Sequence, residues 1–270
     1  TRPELLKKYQ AKAAALPPAT GPRQAPIHDH MARAVQDHPV YAGMVQEMDE
    51  AVDRVLKKLD ALGLSERTIV VFTSDNGGLC TAEGSPTCNL PLRGGKGWNY
   101  EGGLRVPAIV RWPGHVPAGS ACDVPVISID YYPTLLALAG LPMPAQQHVD
   151  GVSLAPLLEG KGAIAARPLF WHYPHYSNQG GRPGGAVRVG ENKLLESFED
   201  ERVEQYDLKR DMGEMNDSAA ARPDAAQSML KLLRDWRKEV GAQMPTPNPQ
   251  PVEPFGPDGV PRRQTKAKRT

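Results

Sequence analysis

The segment Thr68-Ile69-Val70-Val71-Phe72-Thr73-Ser74-Asp75-Asn76-Gly77-Gly78 decides the fold. Its first six residues form a continuous β-branched and aromatic run, which is typical of a strand buried on both faces of a parallel sheet. The run ends at a polar group followed by two glycines, a composition that stops a strand and opens a loop. The segment therefore predicts a buried strand with a polar loop at its carboxyl end.

The sequence around this segment predicts alternating helices and strands. Between Tyr41 and Leu62 apolar residues recur at three- and four-residue steps and Gly63 follows, which predicts an amphipathic helix with a glycine C-cap. Two further apolar runs, 106–112 and 124–129, predict strands, and segment 132–139 predicts a helix. This alternation favours an α/β fold with a mostly parallel sheet flanked by helices.

The pattern changes after Pro183. Three short strand candidates separated by polar turns follow: 186–189, 193–196 and 204–208. Their close spacing predicts a small antiparallel sheet. The segment from Pro223 to Val240 has apolar residues on one face, so we expect a helix that packs on this sheet.

These patterns predict three parts of the chain. Residues 1–176 form part of an α/β domain, and residues 177–241 form a small antiparallel β subdomain with a C-terminal helix. Residues 242–270 are rich in Pro, Gln, Asn, Thr and basic side chains, and they offer little apolar surface to offset the entropy of ordering. We therefore expect an extended or disordered tail there.

Composition limits the classes of partner. The 270 residues carry 32 Lys and Arg against 31 Asp and Glu, a net charge of +1, so no global field gathers nucleic acid or anionic lipid. No apolar run reaches the roughly 18 residues that span a bilayer. Cys80, Cys88 and Cys122 form an odd set without CxxC spacing, which argues against a zinc site or a disulfide framework. We expect neither a nucleic-acid partner nor a membrane span.

Asp75 and Asn76 are the first candidate site residues. They directly follow the predicted buried strand, and the carboxyl edge of such a sheet is where open α/β folds build their sites. A carboxylate beside an amide oxygen suits a hard cation, Ca²⁺ or Mg²⁺. Taken alone, Asp-Asn-Gly-Gly is more typical of a simple turn than of a metal site.

The stretch 92–107 supplies the second candidate group. Its sequence is Leu-Arg-Gly-Gly-Lys-Gly-Trp-Asn-Tyr-Glu-Gly-Gly-Leu-Arg-Val-Pro. The paired glycines permit close approach of a ligand to the backbone, and Lys96 and Arg105 supply positive charge. This combination predicts a loop that binds an oxyanion.

In this order, the segments resemble type I sulfatases of the alkaline phosphatase superfamily. The resemblance rests on the helix end at Lys57-Lys58-Leu59-Asp60-Ala61-Leu62-Gly63, on the strand and loop through Gly78, and on the stretch 92–107. It continues through segments 128–136, 150–154, 193–194 and 204–208, and so covers roughly residues 41–236. It implies the C-terminal part of an alkaline-phosphatase-like sheet.

The resemblance assigns roles to the candidate residues. Asp75 and Asn76 would be two ligands of Ca²⁺, with Mg²⁺ as the alternative cation. Lys96 would be catalytic and would donate to a sulfate oxygen. Arg105, His172 and His175 would contact the substrate, a sulfated small molecule or sulfated glycan. For the two histidines, packing between domains is an equally good interpretation, since they lie among Trp and Tyr residues.

The resemblance also implies a nucleophile that this sequence lacks. Family members carry a formylglycine, made from the Cys or Ser of a C-x-P/A-x-R motif, in their N-terminal half, and that motif does not occur here. Cys88 is followed by a Pro and an Arg that are each one position too far along, so an ordinary loop thiol is the better interpretation. We therefore expect the natural N-terminus to lie upstream of Thr1, and the intact protein to be periplasmic or secreted.

Three functional hypotheses remain. The first is a fragment of a sulfuric ester hydrolase that is inactive alone. The second is a phosphodiesterase or phosphonate monoester hydrolase of the same superfamily, since phosphate and sulfate share a tetrahedral shape. The third is a non-catalytic remnant that binds glycan or metal.

Two other groups of residues carry little functional weight. His28, His30 and His38 lie in a Pro-rich stretch interpreted as a solvated connection, and the acidic residues 49, 50 and 53 lie on the polar face of a helix.

Overall fold

The structure is a computed structural model that describes residues 1–147 and 150–247. The helices are α1 (Pro3–Ala14), α2 (Pro39–Ala61), α3 (Glu101–Leu104), α4 (Tyr131–Leu138), α5 (Ala155–Leu158) and α6 (Pro223–Glu239). The strands are β1 (Gln24–Ile27), β2 (His30–Arg33), β3 (Val70–Thr73), β4 (Ala108–Arg111), β5 (Leu169–Tyr173), β6 (Gly184–Val189), β7 (Asn192–Ser197) and β8 (Val203–Asp207). The predicted tail falls mostly on residues 248–270, which lie outside the described residues.

The chain divides into two compact units. The first comprises Thr1–Glu47, Asp75–Val106 and Phe170–Thr270, and the second comprises Met48–Ser74 and Pro107–Leu169. All the candidate site residues belong to the first unit. This division follows spatial compactness, and the domain boundaries derived from the sequence stay a prediction.

In the first unit, a four-stranded sheet has the order β5-β6-β7-β8. The β6/β7 and β7/β8 pairs are antiparallel, and Leu194 lies opposite both Val187 and Gln205. Helix α6 covers this sheet and buries Leu233 and Ala226 against Val187 and Leu194. The predicted small antiparallel sheet with its packed helix is confirmed, because the apolar face of α6 meets the alternating inward side chains of the strands.

A hairpin that the sequence did not reveal joins the same unit. Strands β1 and β2 pair antiparallel around a turn at His28 and Asp29. Ile27, at the end of β1, packs in a cluster with Trp98, Tyr100, Tyr206 and Leu208. The interpretation of this stretch as a mere solvated connection is therefore wrong, because its apolar end closes a core.

In the second unit, β3 and β4 form a two-stranded antiparallel ladder with Val71 opposite Val110. The strands predicted at 68–73 and 106–112 are therefore present, although their mutual pairing is antiparallel. The α/β class is confirmed by the mixture of helices with these strands.

The strand predicted at 124–129 is wrong. Its end forms a short 3-10 helix, Ser128–Asp130, and Asp130 is fully buried. The Asp130 carboxylate accepts hydrogen bonds from the backbone N–H of Ile127 and of Val152, each at 3.0 Å, and it also pairs with Arg167. A side chain thus binds the Ile127 amide, which a strand would have used in a ladder, and ties this segment to Val152.

Candidate functional site

Two glycine-rich loops build the candidate site. The first, residues 75–78, begins just after β3 ends at Thr73. The backbone N–H of Gly77 donates to the carbonyl oxygen of Gly103 at 3.0 Å. A Cβ on Gly77 would lie 1.6 Å from the carbonyl oxygen of Gly102, so only glycine permits this approach.

The second loop, residues 93–100, lies directly against the first. The backbone N–H of Lys96 donates to the carbonyl oxygen of Gly78 at 3.2 Å. Asn89 ties the two loops together: its Oδ1 accepts from Gly78 N–H at 3.0 Å, while its Nδ2 donates to Gly78 O at 2.8 Å and to Gly94 O at 2.9 Å. The structure thus brings together the two segments that carry Asp75, Asn76 and Lys96.

The predicted ligand side chains of these loops lie at or near the surface. Asp75 and Lys96 are exposed and Asn76 is half-buried. Asp75 and Asn76 match the oxygen donors that Ca²⁺ or Mg²⁺ prefers, but they supply only two of the six to eight ligands that Ca²⁺ takes. Within residues 1–147 and 150–247, no cluster of three or more His, Cys, Asp or Glu side chains is placed to hold a metal ion. The site fits a hard cation in ligand type and not in ligand number.

The other predicted substrate contacts have protein partners. Arg105 is exposed, and its Nη1 lies 3.3 Å from the sulfur of Met212. His172, on β5, has its Nε2 2.8 Å from the carbonyl oxygen of Gln243, and the exposed His175 lies edge-on to the ring of Tyr173. These contacts are those expected of packing residues, and the substrate roles of Arg105, His172 and His175 stay predictions.

A buried polar network lies below the second loop. Glu204 Oε2 accepts hydrogen bonds from the hydroxyl of Tyr100 at 2.6 Å and from that of Tyr206 at 2.8 Å. Arg93 donates to the hydroxyl of Tyr206 at 3.1 Å, and its guanidinium stacks 4.0 Å from the Tyr100 ring centre. Burial and the neighbouring Glu204 carboxylate raise the pKa of both tyrosines, so both remain neutral donors.

His28 extends this network towards the hairpin. Its ring stacks on Trp98 and its Nε2 lies 2.8 Å from the Tyr100 hydroxyl, while its backbone has φ = 52°. Burial lowers the pKa of His28, and this outweighs the nearby Glu204 carboxylate. The ring is therefore neutral at pH 7 and anchors the hairpin turn to the loop that contains Trp98.

The buried thiol of Cys80, next to the loops, supplies no nucleophile. Cys80 is buried with its sulfur close to Gly95, and burial raises the pKa of its thiol to about 11. A neutral buried thiol is inert as a nucleophile. The backbone N–H of Cys88 donates to Gln36 Oε1 at 2.8 Å, which makes Cys88 part of the loop packing.

The sequence did not reveal a buried ion cluster formed by Glu101, Lys193 and Glu214. Lys193 Nζ lies 2.9 Å from Glu101 Oε1 and 2.8 Å from Glu214 Oε1, and the three residues are at most 3% exposed. Considered one at a time in the sequence, a Lys and two Glu that are far apart in the chain are expected at the surface. Only the fold brings them together.

Two family models match overlapping parts of the chain. The model described as Sulfatase matches residues 2–141, and the model described as N-sulphoglucosamine sulphohydrolase, C-terminal, matches residues 95–239. The chain belongs to the sulfatase family. The first match spans both glycine-rich loops, and the second, which begins at residue 95, includes Lys96 and the antiparallel sheet.

Relatives and solved structures agree with this family. The chain is 38% identical over 219 residues to a sulfatase from Formosa agariphila, which covers 73% of this chain and 39% of that protein. It is similar in structure to Ps i-CgsB in complex with k-i-k-neocarrahexaose, with a TM-score of 0.65, 27% identity, and coverage of 86% of this chain and 53% of that one. It is also similar to BT4656 in complex with its substrate D-glucosamine-2-N,6-O-disulfate, with a TM-score of 0.62, 29% identity, and coverage of 75% and 40%.

The extent of these matches bears on the earlier hypotheses. The sulfatase chain spans about two fifths of the Formosa relative that it matches. The curated relatives carry sulfatase names, which does not favour the phosphodiesterase alternative or the non-catalytic one. Among the residues that the structure describes, no helix is both long and apolar enough to cross a membrane.

Proposed function

We propose that this chain is the part of a sulfuric ester hydrolase that supplies cation and sulfate ligands, while a segment outside this sequence carries the formylglycine nucleophile. The observation that carries the proposal is the hydrogen bond between Lys96 N–H and Gly78 O at 3.2 Å. It joins the loop with the predicted metal ligands to the loop with the predicted sulfate ligand. The family membership supports the reaction class.

Each residue has a distinct role in this proposal. Asp75 and Asn76 hold a Ca²⁺ ion together with ligands from outside this sequence, and Mg²⁺ is the alternative. When bound, the cation supplies charge stabilisation to a sulfuryl oxygen. The Lys96 ammonium is exposed and donates a hydrogen bond to another sulfate oxygen, where negative charge increases in the transition state. Arg105, His172 and His175 contact the organic part of the substrate.

The substrate class in this proposal is a sulfated glycan or a sulfated small molecule. Support comes from the two solved structures described above, one in complex with a neocarrahexaose and one with a disulfated glucosamine. The organic alcohol is recognised by variable loops, so the shared loops of residues 75–78 and 93–100 specify the sulfate and not the sugar.

A kinetic comparison tests the proposal. The full-length gene product should hydrolyse para-nitrophenyl sulfate faster than para-nitrophenyl phosphate. Lys96→Ala should lower kcat about 10²- to 10³-fold, as loss of one transition-state donor does. The control is Lys161→Ala, whose side chain is 72% exposed and lies in the other compact unit. Equal rates for Lys96→Ala and wild type would overturn the role of Lys96.

The isolated chain gives a second test. Without a nucleophile, the 270-residue chain should hydrolyse no sulfate ester at any Ca²⁺ concentration. Activity of this chain that survives rigorous purification would show that it carries its own nucleophile, and it would refute the incomplete-site proposal.

A further inference from the structure

Glu214 contacts both ends of the loop that carries Lys96. Its carboxylate Oε2 accepts a hydrogen bond from the backbone N–H of Glu101 at 2.6 Å, and its backbone carbonyl accepts from Arg93 Nη1 at 2.8 Å. Residue 93 begins this loop, residue 101 directly follows it as the first residue of α3, and Lys96 lies between them. One buried residue from a distant part of the chain therefore brackets the loop.

Lys193 holds Glu214 in this place. It extends from β7, is 0% exposed, and its ammonium lies between the carboxylates of Glu214 and Glu101 at 2.8 and 2.9 Å. Arg188 Nη1 lies 3.7 Å from the second oxygen of Glu101. The antiparallel sheet thus fixes the bracket through buried ionic contacts.

The same contacts reach the predicted metal ligands. Glu101 begins the short helix α3, and the third residue of that helix, Gly103, accepts the hydrogen bond from Gly77 at 3.0 Å. Gly102 N–H donates back to the Arg93 carbonyl at 2.7 Å. A shift of the helix start would therefore move the loop of Asp75 and the loop of Lys96 together.

The energetics of the cluster of Glu101, Lys193 and Glu214 indicate that it does more than stabilise the fold. Burying three ionisable side chains costs free energy that their mutual attraction offsets only in good geometry, and apolar residues of similar volume often stabilise as well or better. Glu214 in addition has a left-handed backbone, φ = 52°, which a side chain other than glycine adopts at a cost. Strained and buried ionic positions of this kind persist where the surrounding structure demands a particular geometry.

We propose that Glu214 and Lys193 are positioning residues, which set the place of Lys96 relative to Asp75 and Asn76. This inference rests on the proposed function for its kinetic consequence. The residues touch no reacting atom, and they act through the helix start at Glu101.

The test compares Glu214→Ala with a control that breaks an equally buried ion pair elsewhere. Glu196 is 5% exposed, pairs with Arg234 and Arg237, and holds α6 on the same sheet without contacting residues 93–103 in the bonds described. In the full-length gene product, Glu214→Ala should lower kcat about a hundredfold at a temperature where it is folded, because misplacement of catalytic groups by about 1 Å has that effect. Glu196→Ala should lose a similar amount of thermal stability with kcat unchanged.

The conservative variant Glu214→Gln keeps the hydrogen-bond acceptor and removes the negative charge. It also provides a second test if Glu214→Ala fails to fold. Its amide oxygen can still accept from Glu101 N–H, so its kcat should lie within about tenfold of wild type, with KM unchanged. A kcat as low as that of Glu214→Ala in a Glu214→Gln protein whose Gly77, Lys96 and Gly102 amides exchange as in wild type would show that the carboxylate charge acts without moving the loops, and it would overturn the positioning mechanism.

Amide hydrogen exchange tests the inference without any measurement of activity. In Glu214→Ala and Lys193→Met, the amides of Gly77, Lys96 and Gly102 should exchange at least about tenfold faster, equivalent to about 1.4 kcal/mol of local opening. Glu196→Ala should leave them unchanged. Unchanged protection in the Glu214 and Lys193 variants would refute the positioning role, whereas a wild-type protein that hydrolyses no sulfate ester would refute only the proposed function.

Discussion

The two compact units differ in where their apolar side chains lie. In the first unit Val187, Leu194 and Leu233 are fully buried between the four-stranded sheet and α6. In the second unit Val71 on β3 and Ile109 on β4 are 40% and 61% exposed, although both lie in runs typical of fully buried strands. The first unit has closed its core, and the β3/β4 ladder has not.

This difference explains the meaning of the continuous apolar run in β3. A strand that is apolar on both faces is stable only when each face is covered. Here Val71 and Ile109 stay uncovered, so we infer that a further segment of the full-length sulfatase packs on this ladder. Relatives longer than this chain are consistent with that inference.

The largest expected effect concerns this exposed ladder. Uncovering several hundred Å² of apolar surface forfeits on the order of ten kcal/mol at about 25 cal/mol per Å², which is comparable to the stability of a whole domain. The isolated 270-residue chain should therefore aggregate or bind a hydrophobic dye, as measured by light scattering and by dye fluorescence.

Ile109→Thr sharpens this prediction, because it has opposite effects in the two contexts. In the isolated chain it should reduce dye binding, since the exposed ladder becomes more polar. In the full-length protein it should lower stability by a few kcal/mol, about what burial of a polar side chain in an apolar site costs. A cooperative melt of a monodisperse wild-type monomer without dye binding would show that the chain closes its own core.

The next effect compares one leucine from each unit. Leu233→Ala should lower the free energy of unfolding by about 2–5 kcal/mol, because it opens a cavity in a closed core. Leu135→Ala should change it by at most about 0.5 kcal/mol in the isolated chain, since Leu135 is 47% exposed. Chemical denaturation of both variants measures the difference, and similar losses would contradict the contrast between the units.

The sequence predicted those features that depend on local patterns. Helix α2, the strands β6 to β8 and helix α6 follow from periodicity, and the two site loops follow from their glycines. The failures arose where the hydrogen bonds of a single carboxylate side chain decide the local structure. Asp130 satisfies the backbone that was predicted as a strand, and Glu214 joins residues more than a hundred positions earlier in the chain. Neither contact has a periodic signal.

A smaller effect concerns acid stability of the first unit. Burial alone would raise the pKa of Asp37, but hydrogen bonds from Arg33 and Arg23 outweigh it and hold that pKa below its usual range. A carboxyl with a lowered pKa contributes stability that is present above its unfolded pKa and is lost as the pH falls through the folded value. The contribution, about 1.5–3 kcal/mol for hydrogen bonds to a charged group, should therefore begin to fall below pH about 4 and should be lost as Asp37 becomes protonated in the folded protein.

Asp37→Asn provides the control for this pH dependence. It should destabilise the protein at pH 7, and its stability difference from wild type should narrow as the pH falls below about 4 and Asp37 of the wild type becomes protonated. Thermal melts of both proteins across this range give the measurement. If the difference in melting temperature between Asp37→Asn and wild type stays constant with pH, the Asp37 charge does not contribute to stability.

The smallest expected effect is that of Ca²⁺ on the isolated chain. In the proposed site, Asp75 and Asn76 would provide two of the six to eight oxygen ligands that Ca²⁺ takes, and in the isolated chain water would fill the remaining positions. With a Kd near about 1 mM, addition of 1 mM Ca²⁺ would stabilise the folded chain by only about 0.4 kcal/mol, whereas a Kd of 1 μM would give about 4 kcal/mol. Calorimetry should thus detect at most weak binding that Asp75→Asn removes, while the full-length protein should bind far more tightly. Submicromolar binding by the isolated chain would mean that its own residues complete the coordination shell, and the proposal that ligands come from outside this sequence would then fail.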